Sequence, residues 1–197
     1  AAQPEAKGAL LGLLTGVGGA DALKAARAAV NDPNPEVRAS AIRALGSWKT
    51  EDVVPELLAL ARSSANPTER LLALRGYFGW ASNAELPAER RLVLCRDAAG
   101  VIQQAEEKKL LLGALGSIKT PAAFAAAAPY LDDAAVRAEA GTAVIVIAEE
   151  VLKGREAGDV ASKLVAPLQK AAQSIPNADL ARKANALAEQ AQKKAAQ

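Results

Sequence analysis

Apolar positions recur at helical spacing along most of the chain, and short polar turns interrupt them at nearly regular intervals. The clearest unit is residues 32–46, DPNPEVRASAIRALG. Asp32, Pro33, Asn34 and Pro35 predict a turn, because these residue types favour turn geometry or fix φ. Val37, Ala41, Ala44 and Leu45 then follow the i, i+4, i+7, i+8 spacing of one face of an amphipathic helix. Gly46 is placed to end that helix in a left-handed cap.

The same unit returns down the chain. Asn34-Pro35-Glu36-Val37-Arg38 is echoed by Asn66-Pro67-Thr68-Glu69-Arg70, which aligns Ala41 with Ala73 and Trp48 with Trp80. Ala44-Leu45-Gly46-Ser47-Trp48-Lys49-Thr50 is echoed by Ala114-Leu115-Gly116-Ser117-Ile118-Lys119-Thr120, and this register sets Lys108 where Arg38 stands. A further echo runs Leu131-Asp132-Asp133-Ala134-Ala135-Val136-Arg137 and carries Ala140 and Ala143 in the small apolar positions. The basic position thus falls at 38, 70, 108 and 137. Each interval holds two helices of three to four turns and leaves no length for a strand. Ala41, Ala73 and Ala140 are expected at tight helix–helix contacts.

The pattern predicts a first helix over 4–15, broken by Gly16, Gly18 and Gly19, and a second over 22–30. Further helices follow at 51–62, 68–80, 87–102, 106–117 and 121–131, and another from 132 or 133 to 152. Gly154–Gly158 is read as a loop, 160–174 as a helix broken or kinked at Pro167, and 178–194 as the last helix. Gly76 lies inside a helix, where glycine costs about 1 kcal/mol against alanine, so close packing is expected there. Val144–Ile147 is strand-like by propensity, but the absence of turn residues around it favours a helix buried on most sides.

Composition sharpens the class. The chain has 197 residues, 3% aromatics, one cysteine and no histidine, with a net charge of +2. That charge is too balanced to indicate a nucleic-acid or acidic membrane surface, although residues 153–197 are basic and the rest slightly acidic. No apolar run reaches the roughly 18 residues of a membrane span. One cysteine excludes an internal disulfide. With no initiator methionine and no apolar leader, the sequence reads as a processed protein or as a piece of a longer one.

The Asp-Pro…Val-Arg…Ala…Ala-Leu-Gly pattern at 32–46, Val136-Arg137 and the paired-helix period resemble HEAT repeats. The wording ALRGYFGW, AEEKKLLLGALGSI and YLDDAAVRAEA is similar to HEAT segments of large, often extracytoplasmic, bacterial multidomain proteins. The resemblance covers residues 8–195 and implies an all-α fold: a right-handed α-solenoid of about five antiparallel helix pairs in one domain. Residues 1–31 would form an N-terminal capping repeat, 32–152 the core repeats and 153–197 the C-terminal capping helices. An Asp–Arg ladder between repeats is expected to be interrupted, because the second and third units lack an acid in the turn and the third has Lys108 for arginine. The resemblance implies a non-enzymatic protein–protein interaction or scaffold module that binds another protein or a flanking domain, in a periplasmic or secreted setting. The alternatives are a nucleic-acid-binding protein of the HEAT-like glycosylase kind and an enzyme subunit of the bilin-lyase kind.

Candidate chemistry is thin. Without histidine there is no Ser-His or Cys-His pair and no commonest metal ligand, so no catalytic residue, cofactor or metal site is assigned. Cys95 sits in the apolar run Leu92-Val93-Leu94-Cys95 and is expected to be buried and inert. The acid pairs Glu106-Glu107, Asp132-Asp133 and Glu149-Glu150 read as capping or solvated carboxylates. Gly16-Val17-Gly18-Gly19 lacks the strand and the Lys-Ser/Thr of a phosphate loop and reads as a turn. Trp48, Trp80 and Ile118 share one repeat position and read as a seam between repeats. A partner face is expected on the second helices of the second and third repeats, around Arg91, Arg96, Phe124 and Tyr130. The motive is residues 121–131, which carry no charge until the following Asp132.

Overall fold

The protein, described by a computed structural model for residues 3–154 and 157–196, is helical throughout, with no strand among these residues. Its contacts divide the chain into two compact units, Ala1–Trp80 and Ala81–Gln197. The first holds α1 (Pro4–Val17), α2 (Ala20–Ala29), α3 (Pro35–Gly46), α4 (Val54–Ser63) and most of α5 (Pro67–Ser82). The second holds the end of α5, then α6 (Ala88–Ala99), α7 (Ala105–Ser117), α8 (Pro121–Ala127), α9 (Arg137–Val151), α10 (Ala157–Ser174) and α11 (Ala178–Ala195). Short 3-10 turns, Glu51–Val53 and Ala128–Asp132, precede α4 and follow α8. Residues 155 and 156, within the loop expected at 154–158, lie outside the described residues.

The turns form for the reasons visible in their residues. Asn34 caps α3 by accepting from the amides of Glu36 and Val37, and Asn66 does the same for Thr68 and Glu69. Thr120 accepts from Ala123 at the start of α8, and Asn177 from Asp179 and Leu180 at the start of α11. Pro35, Pro55 and Pro121 stand in first turns, where the missing amide costs nothing. Gln104 and Glu107 make a reciprocal capping box on α7.

In the first unit, α3 packs against α1 and α2. Val37, Ala41, Ile42, Ala44 and Leu45 are buried there, as the helical face requires. Gly46 does not form the left-handed cap expected of it. It is the last helical residue, and Ser47 follows at φ −98. Gly46 instead meets Gly76 of α5, at an approach so close that a Cβ built on Gly76 would lie 2.5 Å from the Gly46 Cα. Gly16 likewise does not break α1. The helix runs to Val17, and the positive φ values are at Gly18 and Gly19.

In the second unit, α9 is the centre, with α7, α8, α10 and α11 all packed on it. This explains Val144–Ile147. Val144, Ile145 and Ile147 are fully buried on a helix enclosed from several directions, so their β-branching serves packing rather than a strand. α10 continues through Pro167 without a break in its assignment. Ala41, Ala73 and Ala140, equivalent in the repeat, are each 0% exposed.

The basic repeat position ties successive turns together. Lys7 pairs with Asp32, Arg38 with Glu69, and Lys108 with Asp133, each reaching the turn that opens the following repeat. Arg38 also donates to the carbonyls of Asp32 and Pro33, and Arg137 to that of Leu131. The Asp–Arg ladder is interrupted, as expected, and mixed pairs and carbonyl caps stand in its place. The Lys7 ammonium and the Asn34 amide hold the Asp32 carboxyl below its ordinary range, and Lys108 with the Ala135 amide does the same for Asp133. Solvent screens partly exposed pairs of this kind, so they order the turns more than they hold the fold.

Candidate partner groove

The uncharged segment 121–131 has two sides. Ala123, Phe124, Ala127 and Leu131 are buried against the second unit's core, whereas Pro121, Ala122 and Ala125 are exposed. Both α8 and α10 pack on α9. Between them they leave an open groove of about 310 Å³, with Phe124, Ala125, Val160, Leu164 and Pro167 on its walls. Among the described residues, Lys163 is the charged one that lines it. Pro167 has no amide to give the Lys163 carbonyl one turn earlier. Tyr130 is half-buried beyond the end of α8, and burial pushes its phenol above the ordinary range.

The structure does not gather the four expected contact residues into one patch. Arg91 is buried, and its guanidinium donates to the carbonyls of Ala81 and Ser82 and to Ser117 Oγ. It caps the end of a helix and offers nothing to a partner. Arg96 is exposed on α6. Phe124 lines the groove from beneath, at 3% exposure. Sequence reading could not separate Arg91 from Arg90 or Arg96, because which of three neighbouring arginines turns inward depends on where α6 lies. The groove itself was also out of reach, since α8 and α10 are more than thirty residues apart. The weak signal was the smallness of the α8 side chains.

Other candidate chemistry resolves into structure. The acid pairs separate. Glu106 meets Lys109, while Glu107 turns inward and accepts from the amides of Gln103 and Gln104. Asp132 pairs with Lys170 and Asp133 with Lys108, and Glu149 and Glu150 pair with Lys183 and Lys153. Among the described residues, no group of three or more His, Cys, Asp or Glu side chains comes together as a metal cluster. Trp48 and Ile118 are buried, and Tyr77 stacks edge-on against Phe78 at 5.7 Å. Trp80 is half-buried.

Cys95 is 2% exposed, and burial pushes its thiol up to about 12, with Arg91 pulling weakly the other way. A thiol held protonated is a poor nucleophile. It is expected to remain unmodified by Ellman's reagent at pH 8 in the folded protein and to react fully in denaturant. Rapid stoichiometric reaction of the native protein would show the thiol to be accessible.

No helix among the described residues is long and apolar enough to cross a membrane. No curated protein matches the chain. Residues 1–76, spanning α1 to most of α5, match the family model for HEAT repeats.

Proposed function

We propose that this protein is a binding module without chemistry of its own, which holds a segment of another protein, or of a flanking domain, in the groove between α8 and α10. HEAT repeats commonly mediate protein–protein interaction. The observation that carries this reading is the groove, apolar and bordered by one lysine, beside a helix whose exposed side is alanine and proline. Open apolar surface with a sparse polar border is the usual character of a recognition surface. Alanine walls let a partner backbone approach closely, and the Lys163 ammonium supplies a donor. The resemblance to extracytoplasmic bacterial segments favours a partner in the periplasm or outside the cell.

Ala125→Glu tests it. Ala125 is exposed, so the melt should shift by no more than about 0.5 kcal/mol, as for ordinary surface substitutions. A photo-crosslinker in place of Val160 should capture the partner, and Ala125→Glu should abolish that capture. Unchanged capture would move the contact elsewhere. The nucleic-acid reading has a separate signature: sub-micromolar binding to a short duplex that weakens steeply with salt. With net charge +2 and Lys163 the only basic lining residue among those described, no such binding is expected.

A further inference from the structure

Several cations of the first unit are matched to acids within it. Lys7 meets Asp32, Arg27 meets Glu56 and Asp52, and Arg38 meets Glu69. Arg43 of α3 and Arg75 of α5 differ. Both are exposed, and among the described residues neither has a hydrogen bond or a carboxylate partner. They share one repeat position, five residues after Arg38 and Arg70. Five residues after Lys108 and Arg137 the same position holds Gly113 and Thr142. The arginines are therefore a feature of two successive repeats and not of the repeat pattern in general.

Packing sets the two side by side. α3 and α5 meet through Gly46 and Gly76, where a Cβ on Gly76 would lie 2.5 Å from the Gly46 Cα. No side chain separates the helices at that point. Arg43 stands three residues before Gly46 and Arg75 one before Gly76, so both leave their helices within one turn of the closest approach. An open groove of about 310 Å³ runs from there between the helices, with Arg43, Ala39 and Glu36 on one wall and Asn66 and Thr68 on the other. Thr68 lies seven residues before Arg75, two turns back on the same side of α5. One turn beyond the arginines stand Ser47 and Gly79, both small and exposed, and a Cβ on Gly79 would meet nothing within 4 Å. A chain lying across α3 and α5 can thus reach both guanidiniums. Of the acids beside the groove, Glu69 is committed to Arg38 and Ser64 Oγ, and Glu36 stands ~10 Å along α3 from Arg43.

We propose that Arg43 and Arg75 bind an acidic peptide segment, which lies across α3 and α5 and sets one carboxylate on each guanidinium. A planar guanidinium holds a carboxylate through two N–H donors at once, so the pair selects carboxylates at one spacing. The occupant is a peptide and not a nucleic acid, because two cations with Glu36 farther along the groove do not make the run of positive charge that a phosphate chain needs. Exposed ion pairs are screened by salt, so the contact is weak and acts on the choice of partner. The site is independent of the groove beside α8.

Fluorescence anisotropy of the whole chain with a fluorescein-labelled octapeptide of alternating glutamate and glycine tests this. Binding should saturate in dilute buffer and weaken as salt rises toward ~150 mM. Arg43→Gln combined with Arg75→Gln should weaken it about tenfold or more with an unchanged melt, since both residues are exposed. Glu36→Gln should tighten it about twofold, because a like charge leaves the groove. Lys24→Gln combined with Lys193→Gln removes the same charge from exposed positions on α2 and α11 and should bind like the wild type. No saturable binding, an arginine variant that binds like the wild type, or an equal loss in the lysine variant would each overturn the proposal. So would tighter binding of a short DNA duplex that the arginine variant loses, which would assign the two arginines to phosphate.

Discussion

Gly76→Ala is expected to destabilise the first unit by about 2 kcal/mol or more in a urea melt. An added Cβ would stand 2.5 Å from the Gly46 Cα and 3.3 Å from both δ-carbons of Leu57. The Leu57 carbons could turn aside, but the Gly46 Cα is backbone in a helix fixed by its own hydrogen bonds. α3 and α5 would have to separate, and overpacking of this kind costs about 1–3 kcal/mol and sometimes more. The ~1 kcal/mol that alanine gains over glycine in helix propensity offsets only part of it. Gly79→Ala is the internal comparison. It lies on the same helix with nothing within 4 Å of its added Cβ, so it should gain up to about 1 kcal/mol. If Gly76→Ala melts at or above the wild type, the two helices do not meet through these glycines.

Arg91→Met is expected to cost the second unit about 2–4 kcal/mol. Methionine keeps much of the stem but removes the donors that satisfy Ala81 O, Ser82 O and Ser117 Oγ. A buried acceptor left without a partner costs roughly 1–3 kcal/mol, and the buried Ala81 carbonyl loses the guanidinium that serves it. Arg91→Lys should recover only part of the loss, since one ammonium cannot span carbonyls and hydroxyl with the geometry of the planar fork. A partner-contact role makes the opposite prediction, with an intact melt and lost binding. Thermal melts of the two variants beside Arg96→Met, which should melt like the wild type, separate the two roles.

The helical architecture was legible in the chain because it rests on local rules that recur. Asn34, Asn66, Thr120 and Asn177 cap helices through contacts two or three residues along the chain. The basic position at 38, 70, 108 and 137 marked the start of each repeat's first helix. Strand-like Val144–Ile147 was correctly read as helix from its surroundings, since no turn residue bounded it. Boundaries were less secure. Gly16 does not break α1, since glycine permits a break without requiring one. The preceding leucines carried the helix on to Gly18, where φ turns positive.

Sequence by itself thus determined the helices, their caps and the repeat, because each depends on residues within a turn or two of one another. Tertiary structure alone decided what the side chains at a given repeat position face. Gly46 looked like a cap residue and is a helix–helix contact, because its role depends on Gly76, thirty residues away. Arg91 looked like a surface cation and is a buried cap, because the carbonyls it serves lie a loop earlier. The groove beside α8 exists only because helices distant in the chain pack. Composition can announce an apolar helix face, but only the positions of its neighbours determine whether that face is core or open.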